Sequence, residues 1–457
     1  MKKNILTLGL LTLILGAFSC CSDEETISDF SESDSSSCIN VSKENPINLI
    51  ENYIKNTHGS TRAEESYLLS PIEYEGQTVM YVANYQEGGF DVFSAKLYAP
   101  MVLMSSDYGS IDMSDTDNMP ESLVDVIWGI AQSIYEMTDT DAPTDESWVF
   151  GSDSYPIVTD SIDFSHRVPH TDPNNGYWKT DTIIVSRTLD SIPHLIQDHW
   201  SQIAPYNKYI KYVPDNNGEQ VHAPVGCCAL STGEFLHYMY KEFGISPRAY
   251  STAEYNSISN EYIFSNPTTT IWASLDSNID SIAIVLGYIS NSISTSYSIN
   301  GTASSLYMIS KFLNDSCDYN TSSLFYNNVN IKNQLLARIP TIASAACNLE
   351  GTGSNHCFII DGLLSKNYYF VERKQWIRYV DPNRTGHGLI PEDGPYDPKD
   401  TEYRTLQISH DDFFQMNWGW GESDHDRLWL NASAPRWDIR DGLYFTSKLF
   451  YINVTMD

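Results

Sequence analysis

The sequence predicts an α+β fold in which a helix comes first and an antiparallel sheet follows. Apolar residues recur at helical spacing from Cys228 to Phe243, and the pattern stops at Gly244, a residue that commonly ends helices. After His356, apolar and polar residues alternate, which is typical of antiparallel strands. Near the C-terminus an apolar run ends in an Asn-Trp-Gly-Trp-Gly stretch at 417–421, the composition expected of a strand that delivers an asparagine to a cleft shielded by indole rings. The alternative is a Gly-Trp turn that packs against the edge of a β core.

Length and composition describe a globular chain with an acidic surface. The 457 residues are enough for two or three domains, and 41% of them are hydrophobic. Because the formal net charge is −32, the chain has no basic patch to neutralise phosphates, which argues against a nucleic-acid partner. The cysteines form neither CxxC pairs nor a dense framework, so neither a zinc ribbon nor a disulfide scaffold is predicted. His166 and His170 have i, i+4 spacing, but Pro169 between them favours a loop over a helix that carries both.

Residues 1–21 have the pattern of an export signal, in which two lysines precede an apolar stretch too short to span a membrane. The residues around Cys20 and Cys21 resemble a bacterial lipoprotein cleavage site. The acidic residues at 22–25 resemble the surface-export signal of Bacteroidetes lipoproteins and favour Cys21 as the lipidated residue. We therefore expect an outer-membrane lipoprotein, exposed on the cell surface, that contacts the membrane only through its lipid. A secreted or periplasmic protein without a lipid is the alternative.

A small α+β unit is expected over residues 41–137, after a disordered tether at 22–40 that is rich in Ser, Asp and Glu. A segment rich in Asp, Thr, Ser and Pro follows at 138–177 and is predicted to be a linker open to proteolysis. The predicted elements of the first unit are a helix at 45–58, a hairpin of strands at 79–85 and 89–95, and a helix at 119–137.

The second unit is expected over residues 178–457. Residues 331–342 mix helix and strand signals, and neither is assigned. Apart from the helix that begins near Cys228, the predicted elements are a short helix at 189–200 broken at Pro193, strands at 368–371 and 376–380, and a loop at 381–404.

Two residues have the chemistry of a nucleophile and its base. Cys227 follows a glycine and begins the predicted helix, where the positive potential of the helix N-terminus favours a thiolate. His356 stands at the entrance of a predicted strand, where it can face a cleft. The alternatives are that Cys227 and Cys228 are small buried apolar residues and that His356 is a surface residue at a strand end.

Three further residues complete a site for acyl transfer. Asn417 is expected to hydrogen bond to the imidazole of His356 and fix its tautomer, while Trp418 covers that bond. The backbone N–H of Cys227 and the side-chain amide of Gln202 are candidate donors to an oxyanion, although a loop glutamine is more often simply solvated. In chain order the Cys, His and Asn residues are the set that papain-type thiol peptidases use.

Four sequence blocks, in this order, resemble the streptopain family of cysteine peptidases. They are Trp-x-Gln-x-x-Pro-Tyr-Asn at 200–207, Val-Gly-Cys-x-Ala at 225–229, x-His-x-Phe-x-Ile-Asp-Gly at 355–362 and Asn-Trp-Gly-Trp-Gly at 417–421. The first unit resembles that family's prodomain over residues 88–101 and 105–110.

The resemblance implies a papain-like catalytic domain after an inhibitory prodomain that blocks the cleft until it is cleaved. Its implied substrates are proteins or peptides, and it implies no metal and no organic cofactor. It also implies the site roles: Cys227 as nucleophile, His356 as base, Gln202 as oxyanion donor, and Asn417 with Trp418 as the support of His356.

This chain departs from the family pattern at several positions. Asn355 replaces the usual glycine before the histidine, Cys228 replaces a common valine, and Glu234 replaces a frequent glutamine. The long stretch between His356 and Asn417 implies an inserted hairpin or loop near the cleft.

The sequence as a whole therefore predicts an exported cysteine endopeptidase made as a zymogen. Two alternatives stay open at this point. One is an acyl transferase or amidase with the same fold, and the other is a catalytically silent surface-binding protein.

Overall fold

A computed structural model of the chain describes residues 45–57, 67–96, 99–116, 119–137, 176–325, 327–347, 354–378, 401–419, 421, 427–432 and 450–455. All of these residues belong to one compact unit, which covers residues 40–457. The residues singled out at Cys20, Cys21, His166 and His170, the tether at 22–40 and residues 138–175 of the linker predicted at 138–177 lie outside the described residues. The last two residues of that predicted linker, 176 and 177, begin a strand instead, because they pair with a distant strand.

Six α-helices and seventeen strands are described. The helices are α1 (Pro46–Thr57), α2 (Glu121–Glu136), α3 (Cys227–Phe243), α4 (Ile279–Ile293), α5 (Leu306–Cys317) and α6 (Asn328–Leu336). The strands are β1 (Tyr67–Tyr74), β2 (Gln77–Tyr85), β3 (Phe90–Ser94), β4 (Val102–Ser106), β5 (Gly176–Ile192), β6 (Tyr212–Pro214), β7 (Gln220–His222), β8 (Ala249–Asn256), β9 (Glu261–Thr268), β10 (Ser296–Ser298), β11 (Gly301–Ala303), β12 (Asn320–Phe325), β13 (Thr341–Cys347), β14 (Ser354–Arg378), β15 (Thr401–Asn417), β16 (Arg427–Asn431) and β17 (Phe450–Thr455).

One antiparallel sheet of eleven strands runs through the described residues. Its order is β1-β2-β3-β4-β16-β15-β14-β13-β17-β12, and β5 pairs with the distal part of β14. The four N-terminal strands join the C-terminal strands through β4 and β16, where Trp429 pairs with Ser105 and Leu430 with Met104. The two units expected from the sequence therefore share one sheet.

Apolar packing covers both faces of this sheet. Helix α3 is buried from Cys228 to Met239 and lies against β13 and β14, with α4 and α5 beside it. Helix α1 contributes to a second apolar cluster, in which Leu49, Ile50 and Tyr53 pack against N-terminal strands and against C-terminal strands of the sheet. The ring of Tyr53 contacts Phe93 in β3, with centroids 5.5 Å apart, and Tyr368 in β14, with centroids 6.0 Å apart.

The structure confirms the α+β class and the elements that carry strong local signals. Helices α1, α2 and α3 match the predicted helices within a few residues. Strands β2 and β3 form the predicted hairpin. Helix α3 ends at Gly244, whose φ of 71° is the left-handed conformation that glycine adopts without strain.

Two element predictions were wrong. Residues 189–200 do not form a helix, because β5 extends to Ile192 and pairs with β14, and residues 193–200 are irregular. The strands predicted at 368–371 and 376–380 are confirmed over the described residues, where they are parts of one continuous strand, β14. Residues 401–404 belong to β15 and not to a loop. Pairing with distant strands decided each of these cases, and the local sequence does not carry that information.

The lengths of the strands and helices answer two further questions, about the inserted hairpin and about a membrane-spanning helix. The stretch between His356 and Asn417 contains a long hairpin, in which β14 pairs with β15, as the sequence implied. No helix among the described residues is long and apolar enough to cross a membrane.

Candidate active site

The helix that begins at Cys227 starts after a sharply turned backbone. Gly226 has a φ of 92°, and a Cβ there would lie 3.0 Å from Cβ of Thr302, so a side chain would be strained in conformation and crowded by Thr302. Before the turn, the Val225 N–H donates to the carbonyl of Gln202 at 2.8 Å, and the Ser290 hydroxyl donates to the Val225 carbonyl at 3.0 Å. The start of the helix, and with it Cys227, is therefore held from two sides.

His356 lies in β14, opposite Ala345 of β13, and its ring is half-buried. Its Nε2 is 3.1 Å from the carbonyl oxygen of Trp418, and because a carbonyl only accepts, Nε2 carries the hydrogen. The Trp418 indole is 2% exposed and stacks on the imidazole, with centroids 5.9 Å apart. This arrangement leaves Nδ1 as the ring nitrogen that can exchange a proton with a neighbour.

Cys227 and His356 are in contact, and the Cys227 sulfur has several donors around it. The backbone N–H of Cys357 donates to that sulfur at 3.3 Å. The pKa of the Cys227 thiol is held well below its usual range by hydrogen bonds from the thiols of Cys228 and Cys357, with a further contribution from the hydrogen bond and charge of His356, while burial opposes the shift. The arrangement favours a thiolate at Cys227 beside an imidazolium at His356.

Two buried thiols lie behind Cys227. The sulfur atoms of Cys228 and Cys357 are 2.8 Å apart, and these side chains are 5% and 2% exposed. Their hydrogen bonds to Cys227, together with burial, raise the pKa of both thiols well above the usual range. Cys228 and Cys357 therefore stay protonated and act as S–H donors to the Cys227 thiolate.

Asn417 is close to this group, but its side chain has other partners than expected. Its Nδ2 donates to Oε2 of Glu234 at 3.2 Å, and its Oδ1 accepts the N–H of Gly419 at 3.1 Å. The acceptor that orients His356 is the carbonyl of the next residue, Trp418. In this conformation Asn417 therefore supports His356 indirectly, by fixing the chain at Trp418.

Glu234 connects the 200–207 block to the same site. Its Oε1 accepts the backbone N–H of Trp200 at 3.3 Å, and its Oε2 accepts from Asn417. The Trp200 ring stacks on the buried imidazole of His237, with centroids 5.4 Å apart. Gln202 follows two residues later and is half-buried, and its carbonyl binds the segment that leads into Cys227.

The structure thus brings Cys227, His356, Gln202, Asn417 and Trp418 to one place. Two participants were not identified as such from the sequence. Cys357 directly follows the histidine, and in a strand it should point away from it, so no local pattern indicated that it meets Cys228. Glu234 was visible only as a departure from a family pattern, and its role as a double acceptor depends on contacts with residues 34 and 183 positions away.

Comparison with known proteins identifies a peptidase family. The peptidase C10 family profile matches residues 200–426, which include each of the candidate residues above. Among solved structures, a mutant fragment of prointerpain A from Prevotella intermedia is similar at 17% sequence identity, with a TM-score of 0.47, over 85% of this chain and 98% of that chain. A comparison with curated protein sequences found no match.

Proposed function

The chain belongs to the peptidase C10 family, the streptopain family of cysteine peptidases, through residues 200–426, and we propose that it is an endopeptidase made as a zymogen. The observation that carries the proposal is the contact of Cys227 with His356 at the start of a buried helix, where the environment favours a thiolate. A thiolate paired with an imidazolium is the reactive form of a cysteine nucleophile.

In the proposed mechanism, the Cys227 thiolate attacks the scissile carbonyl of a peptide substrate. The backbone N–H of Cys227 and the side-chain amide of Gln202 donate to the developing oxyanion. His356, with Nε2–H held by the Trp418 carbonyl, delivers its Nδ1 proton to the leaving amine and later accepts a proton from the hydrolytic water. The role of Nδ1 in proton transfer is supported by the hydrogen bond to the Trp418 carbonyl, which requires the other ring proton of His356 to be on Nε2.

The N-terminal part is proposed to be the inhibitory prodomain, removed after cleavage within residues 138–177. Its strands β1–β4 and helix α1 bind the C-terminal part through sheet pairing and apolar packing. The N-terminal 21 residues support export, and Cys21, or else Cys20, is the proposed lipidation site on an outer-membrane protein at the cell surface.

The test uses protein that lacks residues 1–21, incubated with a reducing thiol at neutral pH while its intact mass is followed. We expect the wild type to lose roughly its first third and then to cleave casein. Cys227→Ala should stay whole and inactive, whereas Cys228→Ala should keep the nucleophile and remain able to cleave itself.

The other outcomes separate the alternatives. If Cys228→Ala is the inactive variant, the nucleophile is Cys228. If acyl transfer to an added amine exceeds hydrolysis, the chain is an acyl transferase. If the wild type stays intact and remains inactive on casein after an added protease has cut the linker, the endopeptidase proposal is wrong and a binding role remains.

A further inference from the structure

Three thiols converge at one point beside the proposed nucleophile. The sulfur atoms of Cys227, Cys228 and Cys357 all lie within 4.8 Å of one another. Cys227 is half-buried, whereas Cys228 and Cys357 are almost completely buried. We refer to these three residues as the thiol cluster; it has one sulfur toward the open side and two behind it.

The proposed peptide hydrolysis needs only one of these thiols. Two additional buried thiols could serve as small apolar side chains, but that role would not require their sulfur atoms to meet. Thiolates are the preferred ligands of thiophilic metal ions such as Zn²⁺. The thiol cluster therefore has a donor set for such an ion, in addition to the S–H donation by Cys228 and Cys357 described above.

The spacing of the sulfur atoms suits such an ion. Zinc–sulfur bonds of about 2.3 Å in tetrahedral geometry put two sulfur ligands about 3.8 Å apart. The separations in the cluster reach no more than 4.8 Å, and the shortest, between Cys228 and Cys357, is 2.8 Å. Opening this pair by about 1 Å would give each sulfur a bond to one central ion.

The charge at the site also suits a metal-thiolate complex. A divalent ion with three thiolates carries one net negative charge, and the N-terminus of α3, where Cys227 and Cys228 lie, has positive potential. The fourth coordination position would lie on the open side of Cys227 and would be filled by water. Each thiol that binds the ion releases its proton to solvent, so the step involves no oxidation.

We propose that Cys227, Cys228 and Cys357 form a binding site for one thiophilic divalent metal ion. With the ion bound, the lone pair of the Cys227 sulfur is held in a metal bond. If the proposed peptidase function is correct, this loaded form is inactive and the metal is a reversible inhibitor of the enzyme. The binding itself does not depend on that function.

A second group of candidate ligands among the described residues, Asp198, His237 and Asp276, does not support the same inference. Nδ1 of His237 is 2.7 Å from the carboxylate of Asp198. The carboxylate of Asp276 is 2.9 Å from Nζ of Lys241, so a cation already neutralises it.

The experiment uses the full chain, reduced with a phosphine, freed of metal and titrated with Cd²⁺ in the absence of oxygen. Cadmium is the probe because its thiolate bonds absorb in the ultraviolet, and Zn²⁺ added in excess should compete with it for the same site. We expect one Cd²⁺ per chain. In Cys228→Ala and in Cys357→Ala the loss of affinity should exceed the roughly 10- to 100-fold that follows the loss of a residue that only orients a ligand, because a direct ligand is removed. Cys317→Ala is the matched control, because Cys317 is also buried but lies at the end of α5, outside the thiol cluster, and it should bind like the wild type.

Cys357→Ser is a second variant that removes the thiol but leaves a side chain of similar size, so a loss of binding in it is not caused by a cavity. Near-ultraviolet circular dichroism checks the packing of each variant. The proposal fails if Cys228→Ala and Cys357→Ser bind Cd²⁺ as tightly as the wild type and with the same absorption, because the ion would then sit on Cys227 alone. It also fails if the wild type shows no stoichiometric binding. Since binding is read by absorption, a chain that binds Cd²⁺ but never cleaves casein would overturn the peptidase function and not the metal site.

Discussion

The side chain of Asn417 donates a hydrogen bond to Glu234 at 3.2 Å, and this bond joins the last residue of β15 to the middle of α3. Both residues are buried, at 1% exposure each. The second carboxylate oxygen of Glu234 accepts the backbone N–H of Trp200. One carboxylate therefore connects three of the four parts of the chain that hold the candidate site, namely the 200–207 block, α3 and the end of β15.

This double acceptance predicts that Glu234→Gln destabilises the protein, although the two side chains have the same shape. A glutamine side chain has only one oxygen that can accept a hydrogen bond. Its NH₂ group would therefore face either the Trp200 N–H or the Asn417 NH₂, and because both of these groups are donors, that hydrogen bond would be lost. Asn417 cannot simply turn over, because its oxygen accepts the Gly419 N–H. We expect a loss of about 1–3 kcal/mol in the free energy of unfolding, measured by urea denaturation.

Glu242→Gln is the control for this variant. Glu242 is near the end of the same helix and pairs with Arg338 at a solvent-exposed position, so its loss should cost less than about 1 kcal/mol. Equal stabilities of Glu234→Gln and the wild type would show that the buried carboxylate is not needed as a double acceptor.

The thiol of Cys228 should influence the pH dependence of Cys227. The S–H of Cys228 is the largest contribution that holds the pKa of Cys227 down, so Cys228→Ala should raise that pKa toward its ordinary value of about 8.5. Because only the thiolate reacts with iodoacetamide, the midpoint of the rate of Cys227 alkylation against pH should move upward in the variant.

Alkylation at Cys227 is measured by mass spectrometry of the digested protein, and Cys317→Ala serves as the control that removes a distant buried thiol. An unchanged alkylation midpoint in Cys228→Ala would mean that Cys357, His356 and the helix N-terminus set the pKa of Cys227 without Cys228.

The position of Trp418 should depend on the absence of a side chain at Gly419. Gly419 has a φ of 73°, and a Cβ there would lie 2.7 Å from Cδ2 of Leu230 on α3. Gly419→Ala should therefore cost about 1–2 kcal/mol for the backbone conformation and about 1–3 kcal/mol more for the collision. It should also lower kcat, because the displaced Trp418 carbonyl orients His356.

Gly218→Ala separates these two costs in a thermal or urea unfolding experiment. Gly218 has a φ of 87°, but a Cβ at this residue would meet no atom within 4 Å, so only the conformational cost applies. If both variants lose the same stability, the contact with Leu230 does not restrict the loop.

The N-terminal part should stay bound after the linker is cut. It shares the β4–β16 pairing, the Asn431 side chain donates to the Val102 carbonyl at 2.9 Å, and Tyr53 packs on Tyr368. Because cleavage at 138–177 touches none of these contacts, we expect the two fragments of inactive Cys227→Ala, cut in the linker by an added protease, to elute together in size-exclusion chromatography. In the active wild type, further digestion of the bound N-terminal part would then remove it.

Tyr53→Ala should weaken this association, because it removes a buried ring from the shared apolar cluster, at a cost of about 3–5 kcal/mol. Tyr108→Ala is the control, since Tyr108 belongs to the same part of the chain but is 68% exposed. Fragments of Cys227→Ala that separate as soon as the linker is cut would contradict the prediction.

The sequence by itself determined the local features and the order of the chemical groups. Glycine at 244 ends α3 and glycine at 226 precedes it, because backbone conformation at these positions depends on the residue that occupies them. The helical and alternating apolar patterns found α1, α2, α3 and the β2–β3 hairpin, since such patterns reflect which side of an element is buried.

Only the tertiary structure decided which residues meet. The segment before Ile192 is a strand because β14 lies beside it, and the orienting contact to His356 comes from Trp418 because Glu234 holds Asn417. The thiols of Cys228 and Cys357 are 129 positions apart in the chain, and their contact depends on how α3 packs against β14. Local sequence patterns report the short-range preferences of the backbone, whereas strand pairing and side-chain contacts between distant residues are set by how the whole chain packs.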